Sequence, residues 1–173
     1  MQLVKDIAHY VIKLDFKFHQ LYIVWMSDDE IDEVLVNDDF KIVAFNTEAD
    51  LLKYARMHLG ELCVDSTDYS IYKLQQWTID PYLKFDYNEF LNFWNLCTDV
   101  AESIKSKFAG DIKDEITDII YDKLFNASDV FIADEPNPTF NILEIEELRK
   151  VIQNGLDLLL NNLVIIENEK ILP

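Results

Sequence analysis

At 173 residues, with 50% hydrophobic and 13% aromatic side chains, the chain can bury a sizeable core as one domain, and this composition excludes an intrinsically disordered protein. Its apolar runs are short and broken by charge, so no stretch reaches the roughly 18 apolar residues that a membrane-spanning helix needs. Against 15 Lys and Arg stand 33 Asp and Glu, and the resulting net charge of -18 repels nucleic acid and anionic membranes while steering basic proteins inward.

Residues 2 to 14 set Leu3, Ile7, Tyr10, Val11 and Leu14 at helical spacing, which predicts a first helix. Lys5, Asp6, His9 and Lys13 interrupt that segment, which has no signal-peptide pattern, so a cytoplasmic location is expected. FHQLYIVWM, residues 18 to 26, is rich in β-branched and aromatic residues and predicts a strand. EVLVNDDFKIVAF then places two apolar runs around Asn37-Asp38-Asp39, a turn composition, and predicts a hairpin of two further strands. In NTEADLLKYARMHLG, Thr47 is a fitting N-cap, Leu51, Leu52, Ala55 and Leu59 form one face, and Gly60 stops the helix.

Residues 61 to 80 predict a short strand and a helical turn around Gln75 to Ile79, closed by Pro81. From an N-cap at Asp86, residues Tyr87, Phe90, Phe93, Trp94, Cys97, Val100, Ala101 and Ile104 gather on one side of a central core helix. DIKDEITDIIYDKLF follows, with Ile112, Ile116, Ile119, Ile120 and Leu124 as its apolar face. A loop containing Pro136 and Pro138 leads to a last helix from about Glu144, with Ile145, Leu148, Ile152, Leu156, Leu159 and Leu163 facing inward and Gly155 inside at a small cost. Together these predict a single α+β domain over 1–173. A small N-terminal antiparallel sheet lies in a β-rich front with helices (1–60), and a mostly helical remainder occupies 82–165.

Catalytic and ligand motifs are missing. Asp28, Glu30 and Asp32 alternate as in a calcium loop, but Glu33 stands where that loop needs Gly, and a strand follows instead of a helix. His9, His19 and His58 are scattered, and Cys63 and Cys97 form no metal or redox spacing, so no metal or other cofactor is expected. Gly60, Gly110 and Gly155 are too dispersed to cradle a phosphate, and no Gly-x-Ser-x-Gly occurs. Phe90, Phe93 and Trp94 could stack on bases, but their helical spacing assigns them to the core. The sequence therefore predicts a protein that binds and does not catalyse.

Two carboxylate concentrations are the candidate binding surfaces. The first packs Asp28, Asp29, Glu30, Asp32, Glu33, Asp38 and Asp39 into twelve positions. The second is a helical stripe of Asp111, Asp114, Glu115, Asp118 and Asp122, whose like charges at spacings of three and four oppose helix formation.

FDYNEFLNFWNLCTDVAESI (85 to 104) resembles a segment of small bacterial immunity proteins of contact-dependent growth inhibition and related polymorphic toxin systems, through Leu91, Asn92, Trp94, Asn95 and Asp99. IIYDKLF (119 to 125) and ELRKVIQNGLDLL (147 to 159) resemble later segments of the same family. The chain departs from that pattern after Phe125, where Asn126-Ala127-Ser128 follows and Pro waits until 136. The resemblance implies a non-enzymatic partner of a cognate toxin domain, commonly a nuclease with a basic substrate face. Trp25, Tyr22 and Tyr82 are then candidate anchors beside the acids. An acidic nucleic-acid mimic, or an adaptor that sequesters a basic DNA-binding protein, is the alternative that the charge alone allows.

Overall fold

A computed structural model describes residues 7–28, 30–60, 63–84, 86–128 and 138–167, without the side chains of 63–65. Strands β1 (Ala8–Asp15) and β2 (Gln20–Ser27) form an antiparallel pair with Tyr10 opposite Trp25 and Ile12 opposite Ile23. On the far side of β2, β3 (Asp32–Val34) and β4 (Ile42–Phe45) pair with it in succession, Val34 opposite Trp25 and Ala44 opposite Ile23. The turn between them falls at Asn37 to Phe40, as its composition predicts, and the Asn37 side chain accepts from the Asp39 and Lys41 amides at 3.1 and 2.9 Å. This antiparallel centre is extended at both edges by parallel strands, β5 (Cys63–Ser70) beside β1 and β6 (Leu163–Ile165) beside β4.

The helix expected over residues 2 to 14 is corrected: residues 8 to 14 lie in β1, and residues 2 to 6 fall outside the described set. The reason is that the sheet is covered on both faces. Val11 packs on one side, Ile12 and Leu14 on the other, so apolar residues do not alternate with polar ones and mimic helical spacing.

Helix α1 (Glu48–His58) covers one face, over Val11, Val24, Val43 and Phe45. Thr47 caps it by accepting from the Asp50 amide at 3.1 Å, and Gly60, at φ 87°, takes the left-handed conformation that stops it. The other face carries α2 (Ile71–Ile79), α3 (Tyr87–Ser103), α4 (Glu115–Ala127) and α5 (Ile142–Leu160). The helical turn expected at 75 to 79 is thus the second half of a longer helix. Helix α3 starts at the predicted cap, Asp86, and is the core of this layer, burying Leu91 and Leu96 besides the predicted face. Gly155 of α5 lets α3 approach, since a Cβ there would stand 2.5 Å from Cys97 Sγ. Helix α5 begins earlier than expected because Asn141 and Glu144 form a capping box, and Leu163 belongs to β6 instead of the helix.

The apolar face expected for α4 is also corrected. Its buried side chains are Thr117, Ile120 and Leu124, whereas Ile116 and Ile119 are exposed and Ile112 precedes the helix. Tyr121 sets that rotation: its ring meets Trp94 edge-on at 5.5 Å and its hydroxyl donates to Asn95 Oδ1 at 3.0 Å. Lys123 fixes the other end by donating to both Glu144 oxygens at 2.8 and 2.7 Å and to the Thr139 carbonyl at 2.9 Å. Burial raises the Glu144 pKa, but bonds from Lys123 and the Asn141 amide outweigh it, and the carboxyl is held below its usual range.

Candidate partner-binding cleft

Rotating α4 away from its isoleucine face turns its acids toward α3 and β2, and a cleft of about 870 Å3 opens there. One wall comes from the sheet: Trp25 of β2 and Asp32 at the start of β3. Helix α3 supplies the floor through Trp94, Asn95, Thr98 and Asp99. The opposite wall is Asp111 in a 3-10 turn (Ala109–Asp111), then Asp118, Tyr121 and Asp122 on α4, with Lys113 between as the one base among the described residues that line it.

Each element is held in register by specific bonds. Val34 N donates to Ser103 Oγ at 2.9 Å, and that hydroxyl donates to the Asp99 carbonyl at 2.7 Å, which ties β3 to α3. Thr98 Oγ1 donates to Asp111 Oδ1 at 2.7 Å and anchors the 3-10 turn to the floor. That turn needs Gly110, where a Cβ would stand 2.7 Å from the Trp94 ring.

Asp99 lies deepest among the carboxyls of the cleft, half-buried where the others are exposed. Trp25 Nε1 donates to its Oδ2 at 2.9 Å, and the Trp25 ring is backed by Tyr10 at 5.2 Å. Burial drives its pKa up to about 6, against the lowering by the Trp25 bond and with help from the negative charges of Asp32, Glu102 and Asp111.

The two acidic segments that look separate in the sequence therefore meet. Asp32 reaches the cleft from the first segment, and Asp111, Asp118 and Asp122 reach it from the second. The other described members lie elsewhere. Asp28 accepts from the Glu30 and Ile31 amides at 2.7 and 2.9 Å and closes the turn between β2 and β3, which Glu30 shares. Glu33 points to the opposite sheet face from Asp32 by strand alternation, and Asp38 and Asp39 occupy the β3–β4 turn. Asp114 caps α4 by accepting from the Thr117 amide at 2.9 Å, which lowers its pKa, and Glu115 sits in the first turn. Asp29 lies outside the described residues.

Sequence reasoning missed Asp99 as a site residue, although it is one of the residues carrying the family resemblance; the signal available was a carboxylate adjoining the buried stripe of a core helix. Of the candidate anchors, Trp25 lines the cleft, Tyr22 packs on the α1 side of the sheet, and Tyr82 is 79% exposed on the segment after α2. Among the described residues no three His, Cys, Asp or Glu side chains are placed to hold a metal ion, and no helix is long and apolar enough to cross a membrane.

No protein-family model and no curated protein matches the chain. Its fold is similar to that of the SatS C-terminal domain, whose crystal structure is a complex with bromine. The TM-score is 0.57 at 13% identity, covering 92% of this chain and 94% of that one. At that identity the likeness is one of fold alone.

Proposed function

We propose that this chain is an immunity protein that neutralises a cognate toxin domain of the contact-dependent growth inhibition type, a nuclease by preference, by occluding its active site or substrate surface. What carries the reading is the convergence of Asp32, Asp99, Asp111, Asp118 and Asp122 on one cleft with aromatic side chains in its walls and floor. A nuclease gathers Lys and Arg to hold a polyphosphate, and a cleft of opposite sign offers those side chains an alternative set of acceptors. The overall charge of -18 would speed the encounter, and Trp25 would serve among the few buried anchors that slow release. In this reading the protein acts in the cytoplasm by stoichiometric binding, without catalysis or cofactor, and touches neither nucleic acid nor membrane.

Coexpression with the cognate toxin domain that this reading requires tests it: growth should be restored by the wild-type chain. Asp118→Lys together with Asp122→Lys should slow association about tenfold or more at low salt, whereas Asp38→Lys with Asp39→Lys should change it about twofold at most. Loss of viability despite soluble expression of both proteins would overturn the reading.

A further inference from the structure

Within the cleft one carboxylate differs from the others. Asp32, Asp111, Asp118 and Asp122 are exposed, whereas Asp99 is half-buried where α3 meets β2, with Oδ2 held by Trp25 Nε1 at 2.9 Å. The groups around it come from every neighbouring element. Strand β3 contributes Asp32, α3 itself Glu102, and the 3-10 turn Asp111, while β5 brings the buried Tyr69 phenol, which feels the Asp99 charge. Asp118 and Asp122 of α4 line the same cleft, and so does Lys113, the single base among the described residues that line it.

Ionisation of Asp99 is opposed by lost hydration and by like charge, and the Trp25 bond offsets them in part. A cation entering the cleft removes both obstacles. It replaces the missing water as a hydrogen-bond donor and supplies the missing opposite charge, and the aromatic rings of Trp25 and Tyr121 in the same cleft suit a planar guanidinium. Binding a cation and expelling a proton then become one event.

We propose that the cleft takes up an arginine side chain of the partner in exchange for the Asp99 proton, so that binding weakens as the medium acidifies. This rests on the reading of the cleft as the partner-binding surface and adds its regulation. The arginine N–H groups become donors to the carboxylate, and the proton passes to solvent.

An acetylated tetra-arginine peptide is the probe, because guanidinium does not titrate in this range and any pH response belongs to the protein. Calorimetric titrations at low salt, in two buffers of different ionisation heat, should give binding about tenfold tighter at about pH 7.5 than at about pH 5. The same titrations should give net proton release of about half a proton per site near pH 6, where the free carboxyl is half ionised, and approaching one at about pH 5. Asp99→Asn keeps an oxygen for the Trp25 N–H; it should bind with about a twofold difference at most between the two pH values and release no proton. Asp39→Asn, outside the cleft, should keep the wild-type response. Equal wild-type affinity at both pH values, or an undiminished response in Asp99→Asn, overturns the proton exchange and leaves the cleft as a cation site. Absence of binding at both pH values overturns the exchange and the cleft reading together.

Discussion

Seven carboxylates between residues 28 and 39 and five between 111 and 122 look like equivalent charge clusters, yet the fold disperses the described members of the first and gathers three of the second, Asp111, Asp118 and Asp122. In the first, a turn takes up Asp28, strand alternation sends Asp32 and Glu33 to opposite faces, and a second turn carries Asp38 and Asp39 away. Asp32 alone of that segment's described residues lines the cleft. In the second, Asp118 and Asp122 stand one helical turn apart and so share a side, and the 3-10 turn adds Asp111. Charge density along a chain becomes a surface where the backbone period returns successive charges to the same side.

The contrast can be broken wall by wall. Ser103 holds the sheet-side wall, and Ser103→Ala removes the acceptor of the Val34 amide inside the core. A buried N–H left without an acceptor costs about 1–3 kcal/mol, which urea unfolding would read as a lower midpoint at unchanged slope. A midpoint within error of the wild type would mean that β3 does not depend on this bond. The α4 wall should be less sensitive. Asp114→Ala removes the helix cap and should lower Tm by about 2–4 °C near neutral pH. Because that carboxyl is held below its usual pKa, its contribution is present above the unfolded value and is lost as pH falls through the folded one. The Tm deficit should therefore shrink in acid; a deficit that does not depend on pH would assign the loss to something other than the ionised cap.

Much of this arrangement was legible where local chemistry decides. Thr47 and Asp86 had the side chains a cap requires, Asn37-Asp38-Asp39 had the turn residues, and α3 had a core-facing stripe too apolar to be exposed. Three features were not legible, each because tertiary contacts decide them. Strand β1 is buried on both faces and so lacks the alternation that marks a half-exposed strand. The rotation of α4 depends on Tyr121 finding Trp94 and Asn95, which leaves Ile116 and Ile119 outside against their apparent periodicity. The role of Asp99 depends on Trp25, which lies 74 residues away in the chain.

Asp99 provides the finest test of the comparison, because it lies on the floor between the two walls and carries the cost of its burial together with that of the charges around it. Its folded pKa, about 6, lies above the ordinary 3.8, so between those values the native state binds more protons than the unfolded chain. Stability from this group therefore falls as pH rises through that window, and the penalty persists in full above it. Asp99→Asn retains an oxygen for the Trp25 N–H and removes the charge. Since the carboxylate is partly open to solvent, the gain should be no more than about 1 kcal/mol at pH 8, shrinking as pH falls and disappearing by about pH 3, where the wild-type group is mostly neutral in both states. Urea midpoints at the two pH values would measure it. A variant less stable than the wild type at pH 8 would mean that the ionised Asp99–Trp25 bond outweighs burial and the crowding of negative charge, and that the cleft is assembled by this carboxylate instead of in spite of it.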